Sequence, residues 1–135
     1  MPHGVFRRVV LLGPIVLKVP RWRTFSGGRC SNRWEREMWQ VWRPIFGWKN
    51  LCPIVAADPF GIIVLMHRAE QPVPQQEVDD ADPDDYPGIT AESKAEDHGR
   101  LNARIVAVDY GLPDEDMIRE RRAYYQDMVR RRSAG

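Results

Sequence analysis

Residues 90–113 have the sequence Thr-Ala-Glu-Ser-Lys-Ala-Glu-Asp-His-Gly-Arg-Leu-Asn-Ala-Arg-Ile-Val-Ala-Val-Asp-Tyr-Gly-Leu-Pro. A polar loop with three carboxylates and a lysine comes first, and a tight turn is predicted at Leu101-Asn102. The apolar residues 105–108 then predict a strand that ends at Asp109. An aspartate at the end of a buried strand can present its carboxylate to a cation or a ligand. The alternative is a strand that ends in an Asp-started turn, and the pattern alone favours this alternative.

The chain of 135 residues predicts one domain, residues 1–135, because this length supports a single core. Its net charge of +1 provides no general attraction for nucleic acid or for a membrane surface. No apolar run has the length of a membrane span, and no signal-peptide pattern opens the sequence. Cys30 and Cys52 lack the spacing of metal ligands, so we expect reduced thiols in a cytoplasmic protein.

Two β-hairpins are predicted before residue 70. Residues 5–12 and 15–19 flank a Gly-Pro turn, and residues 51–57 and 61–66 flank the turn Asp-Pro-Phe-Gly. The last of these strands is nearly all apolar and is expected at the centre of a sheet, whereas Pro53 indicates an edge strand. With a packed helix, a second short hairpin and a C-terminal helix at 114–132, the sequence predicts an α+β fold.

The packed helix is predicted to begin at Asn32, which can cap it with Glu35 as its third residue, after a loop at 21–30. Pro44 is expected to end or kink this helix. Apolar residues recur on it at helical spacing and form one stripe: Trp34, Met38, Val41, Trp42 and Ile45. Trp22, Trp39 and Trp48 lie off the stripe, and an exposed tryptophan would indicate a protein-binding surface. Residues 71–89, rich in proline and aspartate, are predicted to form a mobile acidic surface loop.

Three segments resemble, in the same order, the small lobe and catalytic core of protein kinases. The strand Ile-Val-Leu-Lys at 15–18 is similar to the V-A-I-K strand, and a helix glutamate follows it. Residues 90–97 align without gaps with the catalytic loop H-R-D-L-x-x-x-N, and Asp-Tyr-Gly at 109–111 aligns with D-F-G. Residues 67–70 then occupy the position of the hinge that holds the adenine. The resemblance covers about residues 5–112 and implies a kinase-like small lobe.

The resemblance implies roles for five residues if a nucleotide binds. Lys18 would hold phosphates, Glu35 would orient Lys18, Asp97 and Asp109 would hold Mg²⁺, and Glu92 would act as the base. The departures from the family point to a non-catalytic protein with no cofactor. The glycine-rich phosphate loop, the histidine, arginine and aspartate of H-R-D, and the substrate-binding helices are missing. ATP and Mg²⁺ are expected only if the protein is an enzyme.

We therefore predict a degenerate kinase-like protein that acts by protein–protein binding. Its size and composition suggest a small phage protein in the bacterial cytoplasm that inhibits a host defence complex, for example an anti-CRISPR protein. Partner contacts are predicted at one group of acids and two tryptophans: Asp79, Asp80, Asp82, Asp84, Asp85, Trp39 and Trp48. The alternatives are a minimal nucleotide-binding phosphotransferase that uses Lys18, Glu35 and Asp109, and a DNA-binding regulator that uses the arginines of the C-terminal helix. Direct binding to nucleic acid is disfavoured by the near-zero net charge.

Overall fold

The computed structural model of the protein describes residues 6–80 and 94–134. Its main sheet is antiparallel and has four strands: β1 (Arg7–Leu12), β2 (Ile15–Pro20), β3 (Ile54–Ala57) and β4 (Val64–His67). The strand order β1-β2-β4-β3 places the apolar strand β4 inside the sheet and the strand that follows Pro53 at an edge. Both placements confirm the predictions from the sequence. A register shift between Ile54 and Ala56 marks a bulge in this edge strand.

The packed helix begins earlier than the sequence predicted. It comprises α1 (Phe25–Glu37), a π-helical stretch (Met38–Trp42) and α2 (Arg43–Phe46), and ends at Gly47 with a φ of 71°. The prediction of a loop at 21–30 is therefore wrong, because a short 3₁₀ turn (Trp22–Thr24) leads directly into α1 at Phe25. The helix also continues past Pro44, which lies in the first turn of α2 directly after the wider π turn.

The helix starts early because it packs closely against the first hairpin. A Cβ atom at Gly28 would lie 2.5 Å from the carbonyl oxygen of Phe6 and 2.6 Å from the Cα atom of Pro20. The predicted cap at Asn32 is wrong for the same reason. Asn32 is buried inside α1, and its side-chain Nδ2 donates hydrogen bonds to the carbonyl oxygens of Lys18 and Gly61. It therefore joins the helix to the sheet.

The second hairpin pairs β5 (His98–Leu101) with β6 (Arg104–Ala107). Its turn lies at Asn102 and Ala103, both with positive φ, one residue later than predicted. A short helix, α3 (Gln75–Asp79), lies inside the segment predicted as a mobile loop, so that prediction is wrong at 75–79. Val78 anchors α3 by being buried, and Glu77 pairs with Arg100 of β5. Residues 81–89 of the predicted loop lie outside the described residues.

The C-terminal helix α4 (Glu115–Ala134) completes one core with α1 and the loop after α2. Tyr125 is fully buried, and its ring centroid lies 5.3 Å from those of Trp42 and Trp48. Arg122 adds an ion pair at 2.7 Å to Glu37 of α1. The α+β architecture predicted from the sequence is thus confirmed. None of the helices in the described ranges is long and apolar enough to cross a membrane.

Replacing Tyr125 with alanine should therefore destabilise this core. We expect Tyr125→Ala to lower the free energy of unfolding by about 3–5 kcal/mol, because a large buried ring is lost and a cavity remains. Tyr124→Ala is the matched control, since the neighbouring ring is 47% exposed, and its cost should stay within about 1 kcal/mol. Urea denaturation measures both. Equal effects at the two positions would contradict the docking of α4.

Candidate functional site

A buried carboxylate lies at the centre of the candidate site. Glu35 of α1 is 0% exposed, and its oxygens accept hydrogen bonds from Lys18 Nζ at 3.0 and 3.1 Å. Arg7 contacts the same carboxylate at 2.6 and 3.1 Å, and the backbone N–H of Tyr110 donates to it at 2.9 Å. The lysine and glutamate predicted from the sequence therefore lie together. They form one cluster with Arg7, which donates two hydrogen bonds to Glu35, as Lys18 does.

The strand register explains why Arg7 belongs to this cluster. Lys18 of β2 lies opposite Val9 of β1, and Arg7 lies two residues before Val9. Residues two apart on a strand face the same side of a sheet, so Arg7 and Lys18 both project towards α1. Sequence reasoning missed Arg7 because an arginine near a strand end usually faces solvent. The pairing of the first hairpin, once predicted in register, would have placed Arg7 on the same face of the sheet as Lys18.

The cluster extends to the end of the second hairpin. Arg7 Nη2 donates to Asp109 Oδ1 at 2.7 Å, and Lys18 Nζ donates to the carbonyl oxygen of Val108. The ammonium group of a lysine has three N–H donors. At Lys18 the two carboxylate oxygens of Glu35 and the carbonyl of Val108 accept from all three. The chain itself therefore supplies every hydrogen-bond partner that this lysine needs.

The charges around Glu35 decide its protonation state. Burial alone would raise the pKa of Glu35, but the positive charges of Arg7 and Lys18 outweigh burial and lower that pKa to about 2. Glu35 is consequently a carboxylate at neutral pH. Two buried cations, Arg7 and Lys18, are balanced by the buried carboxylate of Glu35 and the partly exposed carboxylate of Asp109, and buried charges are tolerated only when they are paired in this way.

Asp97 lies next to this cluster. It ends a 3₁₀ turn (Ala95–Asp97) before β5, and its carbonyl oxygen accepts from the backbone N–H groups of Val108 at 2.8 Å and Asp109 at 3.3 Å. Burial and the negative charges of Asp109 and Glu96 raise the pKa of the Asp97 carboxyl to about 6. The two predicted Mg²⁺ ligands are therefore neighbours. Within the described residues, no group of three or more His, Cys, Asp or Glu side chains is arranged to hold a metal ion.

The other predicted site residues do not join this cluster. Glu92 and three of the predicted partner-binding acids, Asp82, Asp84 and Asp85, lie outside the described residues. Asp79 and Asp80 are exposed at the end of α3. They lie on the surface, where the partner-binding hypothesis requires them.

The predicted tryptophan anchors require a correction. Trp48 is only 7% exposed and packs against Phe46 and Tyr125 in the aromatic core, so it cannot serve as a surface anchor. Trp39 is half-buried beneath the Arg43 guanidinium, which lies 3.8 Å from its ring centroid. The exposed tryptophan is Trp22, with an exposure of 89%. In the sequence, the position of Trp22 off the apolar stripe indicates an exposed side chain. Trp39 and Trp48 also lie off the stripe, so this pattern alone could not distinguish Trp22 from them.

Neutralising Glu35 should destabilise the protein strongly. We expect Glu35→Gln to cost about 3–5 kcal/mol of unfolding free energy, because Arg7 and Lys18 would stay buried without their counter-charge. Since folding lowers the pKa of Glu35 from 4.5 to about 2, its contribution is present above pH 4.5 and is lost as the pH falls towards 2. Glu37→Gln, which removes a partly exposed ion pair of the same helix, should cost about 1 kcal/mol or less. Chemical denaturation at neutral and acidic pH measures the unfolding free energy of both variants. If Glu35→Gln lost no more stability than Glu37→Gln, the proposed importance of the cluster would be contradicted.

Asp97 should show the opposite dependence on pH. Folding raises its pKa from 3.8 to about 6, so the ionised carboxyl destabilises the folded state, and stability falls as the pH rises through this interval. Asp97→Asn cannot ionise and should be more stable than the natural protein by about 1 kcal/mol above pH 6, allowing for solvent screening. Below pH 3.8 the two proteins should be equally stable. Thermal melting across this range checks the prediction, and a variant that is less stable above pH 6 would refute it.

Comparison with protein-family models, with curated proteins and with solved structures found no match to this chain.

Proposed function

We propose that this protein is a non-catalytic, kinase-like protein that acts by binding another protein. The observation that carries this proposal is the saturation of Lys18. Its ammonium group donates to both oxygens of Glu35 and to the carbonyl of Val108, and the residue is 4% exposed. A nucleotide phosphate would have to displace one of these partners inside a buried cluster. Such a lysine is suited to holding the fold together.

Arg7 provides a second argument. Its guanidinium bridges Glu35 and Asp109, at 2.6 and 2.7 Å. In a kinase the aspartate at the position of Asp109 helps to hold Mg²⁺. Here a fixed cation of the chain neutralises that carboxylate. Phosphoryl transfer depends on positioned charges that stabilise the transferred group, and both charges supplied by Arg7 and Lys18 are engaged internally. This arrangement favours a structural role for the kinase-like residues.

The surface supports the binding part of the proposal. Trp22 is almost fully exposed, and tryptophan is among the residues that contribute most to protein interfaces. Asp79 and Asp80 add two exposed acids on a separate element, α3. The hypothesis that the partner is a bacterial defence complex stays a prediction from the sequence.

The arginines of α4 make a DNA-binding function the weaker alternative. Arg122 is paired with Glu37, and both Arg130 and Arg131 are paired with Asp127. These contacts reduce the positive charge that α4 presents, and the whole chain carries a net charge of +1. Nucleic-acid binding depends mainly on such charge.

The position of Asp97 favours one second candidate, a minimal nucleotide-binding protein. Asp97 and Asp109 are adjacent through the hydrogen bond from Asp109 N to Asp97 O, and the charge of Asp109 helps to raise the pKa of Asp97. Two neighbouring carboxylates are suitable oxygen ligands for Mg²⁺. In this alternative the metal would bind beside the cluster and bring the nucleotide with it.

Thermal melting with millimolar ATP and Mg²⁺ separates the two candidates. A ligand that binds only the folded state must raise the melting temperature, and we expect no rise, because Lys18 and Arg7 are already engaged. ATP alone and Mg²⁺ alone are the controls. A rise that requires both, and that Asp97→Asn removes, would contradict the argument that Lys18 and Arg7 are unavailable to a nucleotide and would favour the nucleotide-binding candidate.

A further inference from the structure

Trp22, Phe25 and Phe60 are exposed, and together with the partly exposed Arg29 they form a surface that we call the aromatic–arginine face. The ring centroids of Trp22 and Phe25 are 6.2 Å apart, and the Arg29 guanidinium carbon lies 5.7 Å from the Phe25 centroid. Arg29 Nε donates to the carbonyl oxygen of Phe60 at 2.9 Å. Trp22 and Phe60 are 89% and 67% exposed, so large apolar rings are held at the surface beside an arginine. An exposed set of this kind marks a binding site more often than isolated apolar residues do.

The aromatic–arginine face is held in place by its supporting elements. Phe25 and Arg29 lie one turn apart on α1 and therefore share a side of the helix. The turn that carries Phe60 packs directly on this helix, since a Cβ atom at Gly61 would lie 2.4 Å from the carbonyl oxygen of Arg29. The carboxylate of Asp58 also accepts hydrogen bonds from three backbone N–H groups of this turn. A surface that is already ordered loses little conformational entropy when it binds.

The charge of the face is positive. Arg21 and Arg23 flank Trp22 in the sequence, and within the described ranges neither they nor Arg29 forms an ion pair with a carboxylate; the ion pairs there involve other arginines and Lys18. The nearby carboxylate of Asp58 is bonded to backbone N–H groups of its own turn. The complementary ligand therefore carries negative charge together with apolar groups. Tryptophan and arginine are also the residues most enriched among those that dominate interface energies.

We propose that the aromatic–arginine face binds an acidic segment of a protein partner that also carries aromatic or other apolar side chains. This inference rests on the proposed protein-binding function. Single-stranded nucleic acid fits less well, because the Trp22 and Phe25 planes are inclined at 57° instead of forming a parallel stacking platform. A second copy of the chain fits less well too, because a two-fold contact through this face would oppose like charges.

Fluorescence anisotropy with labelled probes tests this proposal. The probes are a short peptide of repeating Glu-Glu-Trp, its Lys-Lys-Trp counterpart, and an oligothymidylate of similar length. We expect the acidic peptide alone to bind well, with an affinity that falls as salt is added. Trp22→Ser and Arg29→Glu should each weaken this binding about tenfold or more. Two variants of α4 are the matched controls and should leave binding unchanged. Tyr124→Ser removes an exposed aromatic ring, and Arg131→Glu reverses an exposed charge.

The possible contrary results are distinct. Failure of the acidic peptide to bind the natural protein, or equal binding of the lysine peptide, would overturn the proposal. Tighter binding of oligothymidylate that is lost in Trp22→Ser would assign the face to nucleic acid. A dimer in sedimentation equilibrium that Trp22→Ser dissociates would assign it to a second copy. Because Trp22 is 89% exposed, this variant is expected to fold, and its melting curve checks that expectation. A magnesium-dependent ATP effect on melting with intact peptide binding would favour the nucleotide-binding candidate for the buried cluster and leave this face as assigned.

Discussion

The burial of the Glu35 carboxylate is the constraint on which the rest of the structure depends. A charge without water is tolerated only when partners surround it, and Glu35 finds them on three separate parts of the chain. Arg7 comes from β1, Lys18 from β2, and the backbone N–H of Tyr110 from the residues that follow β6. The first hairpin, the packed helix and the second hairpin therefore have to assemble together. If the first hairpin separated from the helix, Glu35 would lose both of its cationic partners, and if the second hairpin separated, it would lose the N–H donor of Tyr110.

The same cluster shows why the order of residues along the chain does not by itself define an activity. A lysine on a strand, a glutamate on a helix and an aspartate after a hairpin meet in this protein. Their order determines which side chains become neighbours. It does not determine whether their hydrogen-bonding groups stay free for a ligand. That depends on a further residue, Arg7, and on the carbonyl of Val108, neither of which belongs to the motif.

The sequence predicted those parts of the structure that depend on local chemistry. The turns at Gly13 and Asp58 and the central position of β4 follow from turn residues and from the pattern of apolar side chains, whereas the pairing of Lys18 with Glu35 was implied only by the resemblance to protein kinases. The start of α1 did not follow, because Gly27 and Gly28 are typical of loops. The need for glycine at position 28 comes from the approach of Phe6 and Pro20, which are distant in sequence. The burial of Trp48 likewise depends on Tyr125 of α4, which packs against it but is distant in sequence.

The aromatic core has a consequence for the order in which this chain folds during synthesis. Trp34 and Trp42 of the packed helix are covered by Tyr125, whose codon is translated long after theirs. Until α4 leaves the ribosome, Trp34 and Trp42 lack the ring that covers them, while the strands of the sheet can already pair. The nascent protein therefore passes through a stage in which its tryptophan-rich surface is open to chaperones and to other chains. Completion of the core requires the buried residues of α4, Ile118 and Tyr125.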